Sequence, residues 1–512
     1  MEDSVRTKPG PWVLLSTIFA SSMAFIDGTA LNVAIPAVQT ALHASGVQIL
    51  WMVNAYQLML AALIPVGGSL GDLFGRRKIF AIGIGLFVLA SLVCGLSPGI
   101  EFLIVARVVQ GIGAALMIPG SLAIISASYG QGSRGRAIGT WSAASTIVTV
   151  IGPALGGALA GAGLWRLVFL INLPLGIAAI TGLLLKVPES RNEKSSGRID
   201  YPGAALLAVG LAALTYGFVS APAAGFGDPR VIVTLAVGVL GVAAFVVVEA
   251  RSKHPMIPLT LFNSRTFSGA NLLTFGLYGA LSAGMFFLSL NLIQAQGYPM
   301  LVAGLVTLPF AVILTLMSRW AGGLVDRVGP RLPLIVGPVI AGAAFLFMAF
   351  SGLSEGPSRY WVTFFPGIVL LGIGMGITVA PLSTAVMSSL ATNFAGTASG
   401  INNSVSRTAG VLVIAVVGSA ALILFSGALQ ARTSGINISP AARAALVAEA
   451  SRLGAASVPA EVTPDKASAV LLGIRLAFVD MFRVVMLICT ALAWVGAALG
   501  GIFIEKRMKA AG

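Results

Sequence analysis

Apolar runs of close to 20 residues, each ended by a short polar turn, recur along the whole of this chain. About 20 predominantly apolar residues carry a helix across the roughly 30 Å hydrocarbon core of a bilayer. Inside that core only helices and closed barrels satisfy every backbone group. Reading windows of about 19 residues gives about fourteen spans. The first six cover about 12–34, 49–71, 79–97, 102–125, 137–160 and 167–186; a further pair covers about 203–220 and 231–249. The last six cover about 268–292, 301–323, 333–352, 361–386, 399–426 and 482–504. Composition agrees: 57% of residues are hydrophobic and 9% charged, against roughly 25% charged in a soluble domain. Mean hydropathy is +0.97. An all-α polytopic membrane protein is expected.

The net charge of +14 would suit a nucleic-acid partner if it formed one patch, but the basic residues fall in short clusters between the apolar runs. With both termini on the cytoplasmic side, roughly 20 of the 31 lysines and arginines lie in inside segments, as the positive-inside rule requires. Arg6 and Lys8 precede a run longer than a signal-peptide core, so a first span that stays is expected. The one sizeable extramembrane segment is the loop at about 427–480, where Ser439 as N-cap and Pro440 at the first helical position predict an amphipathic surface helix. Cys94 and Cys489 sit inside apolar runs and should pack as small hydrophobes. His43 and His254 fall in loops on opposite sides, no Cys/His cluster has metal-ligand spacing, and no Gly-rich stretch ends in Lys-Ser/Thr. Metals, cofactors, ATP and an enzymatic function are therefore not expected.

Asp27, in "MAFIDGTALNVAIP", breaks the apolar pattern of the first span. An acid at bilayer depth costs roughly 2.5–3.5 kcal/mol on insertion scales and is normally there for function. It is the one acid well inside a predicted span. A carboxyl group in such a partly dry place is suited to carrying a proton, because desolvation penalises its charged form.

The sequence also repeats. "GSLGDLFGRR" at 68–77 and "GGLVDRVGPR" at 322–331 occupy equivalent places in the first and last six spans. Gly68/Gly322, Asp72/Asp326, Gly75/Gly329 and Arg77/Arg331 coincide, as do two leucines. A duplicated six-helix unit is expected. The division is 1–190 for one bundle, 191–265 for a linker carrying two helices, and 266–512 for the second bundle.

"GSLGDLFGRRK" resembles the inter-helix loop motif of the major facilitator superfamily. "RVVQGIGAA" from Arg107 resembles its fourth-helix motif, and "GPALGG" at 152–157 the fifth-helix motif of its antiporters. "FIDGTALNVAIP", "WRLVFLINLPLG" and "GTASGINNSVSRTAG" resemble motifs of the fourteen-helix drug:proton antiporter branch. Two features depart from the pattern. Val148 stands where the fifth-helix motif usually opens with Gly, and the thirteenth span offers Asn402, Asn403 and Arg407 where multidrug members often carry carboxylates.

The resemblance implies two six-helix bundles around a central cavity and export of small hydrophobic or amphipathic molecules in exchange for protons. It pairs Asp27 with Arg107 as the proton-linked groups. It makes gates of the two loop motifs, where Asp72 can pair with Arg76 or with a neighbouring helix terminus, and a hinge of Gly152, Pro153, Gly156 and Gly157. Residues expected to line the cavity are Trp51, Asn54, Tyr56 and Gln57 on the second span, Asn271, Tyr278, Asn291 and Gln294 on the ninth, and Asn402 and Arg407. The implied setting is a bacterial-type inner membrane, with protons, a small-molecule substrate and the bilayer as partners and a monomeric state. Narrow export of one metabolite or antibiotic, symport, and a non-transporting receptor are the alternatives.

Overall fold

In a computed structural model the chain is described at residues 11–129, 131–191, 200–252, 255, 257–354, 356–390 and 395–505. The N-terminal pair Arg6 and Lys8, the basic C-terminal cluster at 506–509, and His254 lie outside the described residues, as do the side chains of Arg319 and Asp326.

Helices α1 (Pro11–Ala41), α2 (Gly46–Phe74), α3 (Arg76–Gly95), α4 (Ile100–Ser128) and α5 (Gln131–Gly161) run alternately up and down. A break at Ile171 splits the sixth span into α6 (Leu167–Leu170) and α7 (Asn172–Lys186). The linker pair is α8 (Tyr201–Ala224) and α9 (Pro229–Arg251). Then come α10 (Arg265–Leu290), which ends in a wider turn at Asn291–Ala295, α11 (Met300–Val306) and α12 (Leu308–Val328), parted at Thr307, and α13 (Pro333–Ala349). The chain closes with α14 (Tyr360–Thr363), α15 (Phe365–Ser388), α16 (Ala395–Thr433), α17 (Pro440–Glu449) and α18 (Pro464–Phe503). No strand occurs among the described residues. Among the described residues thirteen segments are long and apolar enough to cross a membrane, and α13, at 17 residues, is a shorter apolar helix.

Local signals account for the helix starts. Ser45 and Gln48 bond reciprocally across the first turn of α2, at 3.2 and 2.9 Å, so two otherwise orphaned donors are met. Asp200, Asp228, Ser264 and Ser439 cap α8, α9, α10 and α17 more simply, each side chain accepting one backbone N–H of the first turn. Gly75 and Gly329 take φ of +109° and +75° at the ends of α2 and α12. A left-handed backbone at both equivalent turns explains why glycine recurs there.

The helix contacts repeat as the sequence does. α1 packs on α5 and α7, α2 on α4, and α3 on α4 and α7. In the last six spans α10 packs on α16 and α18, α12 on α15, and α13 on α15 and α18. Two equivalent contacts join the groups, α5 with α11 and α16 with α2, and α8 lies against both α2 and α16.

The contacts that join the two groups side chain to side chain run from one end of the molecule to its middle. At that end Gln294 Nε2 donates to Gln39 Oε1 at 2.9 Å, and Gln39 Nε2 donates to the Arg452 backbone carbonyl at 3.0 Å. Leu50 fills the space beside Gly418, and farther in Gln57 approaches Gly410. Toward the other end Gly139, Gly323 and Gly400 have no atom within 4 Å of where a side chain would begin. Among the described residues the contacts between the two groups thus gather at the end bearing residues 42–45, the shut end, and thin out toward the end bearing Gly75, the open end.

The loop expected at 427–480 is largely helical. α16 and α18 have 39 and 40 residues, which at about 1.5 Å per residue makes each nearly 60 Å long, about twice the hydrocarbon thickness. Their projecting ends are joined by Arg432 and Asp480, whose two hydrogen bonds measure 2.7 and 3.0 Å. Residues 434–463 form a cap containing α17 and a tight turn at Ala450–Ala455, which touches α1, α2, α16 and α18.

Candidate functional site

The Asp27 side chain is wholly buried and that of Arg107 is 2% exposed. Arg107 Nη1 donates to Asp27 Oδ2 at 2.5 Å and to Gln110 Oε1 at 2.7 Å, and its Nε to the Met52 carbonyl at 3.3 Å. Gln110 Nε2 donates to Asp27 Oδ1 at 3.0 Å and approaches Ser91 Oγ at 2.9 Å. Asn172 Nδ2 also reaches Ser91 Oγ, at 3.3 Å. The Tyr56 ring lies 4.2 Å from the guanidinium carbon of Arg107. The carboxylate on α1 is thus held by an opposite charge and an amide, both from α4, while an aromatic face from α2 covers the guanidinium, with α3 and α7 behind them.

Close helix approach makes this possible. A side chain at Gly111 would collide with the Tyr56 backbone, and one at Gly113 with the backbone of Phe87. α4 therefore sits tight against α2 and α3, which sets Arg107 beneath Tyr56 and Gln110 beside Ser91. In so dry a place each interaction is stronger than in water, and breaking one partner costs more.

Arg107 was legible as the partner of Asp27 only through the family resemblance. Gln110, Ser91 and Asn172 were not singled out. The signal for Gln110 was its place three residues after Arg107, which puts both on one helix face. Ser91 and Asn172 gave no signal, because their contacts join residues far apart in sequence.

The cavity candidates separate. Tyr56 is 3% exposed and belongs to the ion-pair cluster. Trp51 faces Tyr216 of α8, with ring centroids 6.0 Å apart. Asn402 donates to Asn271 at 3.1 Å and to Thr274 at 2.7 Å, tying α16 to α10. Gln294 joins the two groups at the shut end. Asn54 and Asn291 are wholly buried, and their side-chain atoms have no hydrogen-bond partner. Gln57, Tyr278 and Arg407 are half-buried.

At the first loop motif Arg76 pairs with Asp72 at 2.8 Å. Glu189, just beyond α7, accepts from the backbone of Arg77 and Lys78 at 2.9 and 3.1 Å, satisfying the start of α3. Arg77 donates to the Val187 carbonyl at 2.9 Å, so this loop is bound to the chain leaving α7. At the second motif Gly329 makes the turn, Arg331 is half-buried and Gly322 meets only Ala380, at 3.9 Å; the Asp326 side chain is outside the described residues.

In the fifth span the helix is unbroken through Pro153. A side chain at Gly152 or Gly156 would strike Thr29 or Ala30 of α1, and one at Gly157 would strike Met300 at the start of α11. Gly304 of α11 in turn lies against the Pro153 carbonyl. These glycines form a backbone-to-backbone crossing of three helices at the shut end.

Comparison with known proteins agrees with this geometry. The family described as Major Facilitator Superfamily matches residues 17–414. Multidrug resistance protein Stp of Mycobacterium tuberculosis (strain CDC 1551 / Oshkosh) is 35% identical over 419 residues, 81% of this chain and 77% of that protein. The tetracenomycin C resistance and export protein of Streptomyces glaucescens is 33% identical over 418 residues, 81% and 76% of the two chains. The puromycin resistance protein pur8 of Streptomyces alboniger is 34% identical over 448 residues, 86% and 88%. Among solved structures, a bacterial homolog of the human lysosomal transporter Spinster superposes over 100% of both chains with a TM-score of 0.67 at 20% identity, a likeness of fold.

Proposed function

The chain belongs to the major facilitator superfamily, and on that premise we propose that it exports small hydrophobic or amphipathic compounds in exchange for protons that bind at Asp27. It is a multi-pass membrane transporter rather than an enzyme. The observation that carries the proton step is the wholly buried Asp27 carboxylate, held by donors from both Arg107 and Gln110.

While Asp27 is ionised, Arg107 and Gln110 satisfy it and α1 is tied to α4. Protonation removes the charge attraction between Asp27 and Arg107, leaving Arg107 held by Gln110, the Tyr56 ring and the Met52 carbonyl and no longer tied to α1. The coupling follows from that change. A bound proton alters the relative stability of the states open to the two sides, and substrate binding favours the opposite change. The shut end, with its glycine crossing of α1, α5 and α11, is the one that must part for release, and Asp72 with Arg76 and Glu189 guards the other.

Basic residues gather around the open end, which supports a cytoplasmic location for that end and for both termini. The bundles are 1–190 and 266–512, joined by the two-helix linker at 191–265, and the working unit is one chain in a bacterial-type inner membrane. Relatives named for single antibiotics favour a second reading, a narrow exporter of one such compound.

The test is the purified protein in proteoliposomes carrying a pH-sensitive dye, given cationic, neutral and acidic compounds, for the native chain and Asp27→Asn. Proton movement that requires a compound and disappears in Asp27→Asn is expected. Coupled movement that survives in the variant would overturn the role of Asp27, and a response to one compound alone would favour the narrow reading.

A further inference from the structure

Arg407 is a second guanidinium within a membrane span, and no acid among the described residues is paired with it. It lies on the face of α16 directed at α2: Gly410, one turn later, meets Gln57 and Ser282, and Asn403, one turn earlier, is exposed. The side chain is half-buried, and its Nε is shielded without a hydrogen-bond partner. The described ion pairs are Asp72 with Arg76, Asp27 with Arg107, Asp480 with Arg432 and Glu449 with Arg452, so no described acid is paired with Arg407. Asp27 already has Arg107 and Gln110 on its two oxygens. Tyr56 has its ring against Arg107 and lies within electrostatic reach of Arg407.

We infer that Arg407 binds an acidic group of the exported compound, a carboxylate or an ionised enol or phenol, and that the substrates are amphipathic organic anions. This rests on the exporter reading and narrows it. A guanidinium at bilayer depth is retained where water or an anion can reach it. Its planar fork fits a carboxylate better than it fits any neutral group. Gln57 and Ser282 beside Gly410 offer neutral hydrogen-bonding groups next to the charge. An organic cation in the same space would face an unpaired like charge, with Asp27 sealed behind Arg107.

The test compares three probes of one shape, naphthalene-acetic acid, its neutral amide and naphthylmethylamine. Their equilibrium binding to the purified full chain in detergent is read from tryptophan fluorescence without any gradient. The acid should bind at least about tenfold more tightly than the amine. Arg407→Gln should abolish that preference while leaving the amide unchanged, and Arg407→Lys should restore part of it. The amide provides the check on folding. Equal binding of acid and amine by the native chain, an acid preference that survives Arg407→Gln, or no binding of the acid would each overturn the inference. Because no proton gradient enters the measurement, failure of the antiport reading would appear only in the proteoliposome experiment.

Discussion

For Asp27 and Arg107, stability and function can be pulled apart. Arg107→Leu leaves a buried carboxylate without its counter-charge, a loss of about 3–5 kcal/mol by comparison with other broken buried pairs. Asp27→Asn combined with Arg107→Leu removes both charges and should recover most of that loss in thermal unfolding in detergent, yet transport should stay absent. Full transport by the double variant would reduce the pair to a structural device. This scale was the most legible in the sequence, because one acid in an apolar run stands out from its surroundings. Gln110, Ser91 and Asn172 are ordinary polar residues of apolar helices, and only the packing of α3, α4 and α7 shows that they complete the cluster.

The glycine crossing belongs to the scale of helices. Gly157→Leu should wedge α5 from α11, lengthen the distance between spin labels at positions 42 and 437, and lower transport at least about tenfold, each 1.4 kcal/mol of distortion being a factor of ten. Gly85→Ala, where no atom lies within 4 Å, should be neutral in both measurements. The cap gives a pH prediction. Partial burial pushes the Glu449 carboxyl up, but hydrogen bonds from Ser457 and Arg452 outweigh it and hold the group below its ordinary value. A lowered value means that the folded cap binds the proton less well than the unfolded segment does. Its contribution is therefore complete above the ordinary glutamate value of 4.5 and is lost as pH falls through the lower folded one. Amide exchange across 440–463 should accelerate at acid pH, and Glu449→Gln should remove that dependence. Helix starts such as Ser439 were legible because a cap is a local pattern. The extension of α18 back to Pro464 was not, since "PDKASAVLLGIRLAFVDMF" carries four charges, and the partner that holds it helical, Arg432, lies on another helix.

Across the whole molecule, charge per cycle becomes measurable. If one proton enters as one organic anion leaves, two units of charge cross in the same electrical sense, and the membrane potential adds about 2.3 kcal/mol per charge per 100 mV. Collapsing the potential with valinomycin and potassium should slow export of an acidic compound more steeply than removing the pH difference alone. An unchanged rate would point to electroneutral exchange. The two-bundle plan was legible in the repeated loop motif, but which end is shut was not, because a membrane helix offers the same apolar sequence to lipid and to a partner. The cap joins α1 and α2 to α16 and α18, on a stalk that rises beyond the bilayer on the face proposed to be outside. A ligand gripping that stalk and cap together would not need to enter the cell or compete for the cavity. An antibody raised against residues 434–463 would therefore act as a brake on efflux, by forbidding the movement that releases the cargo.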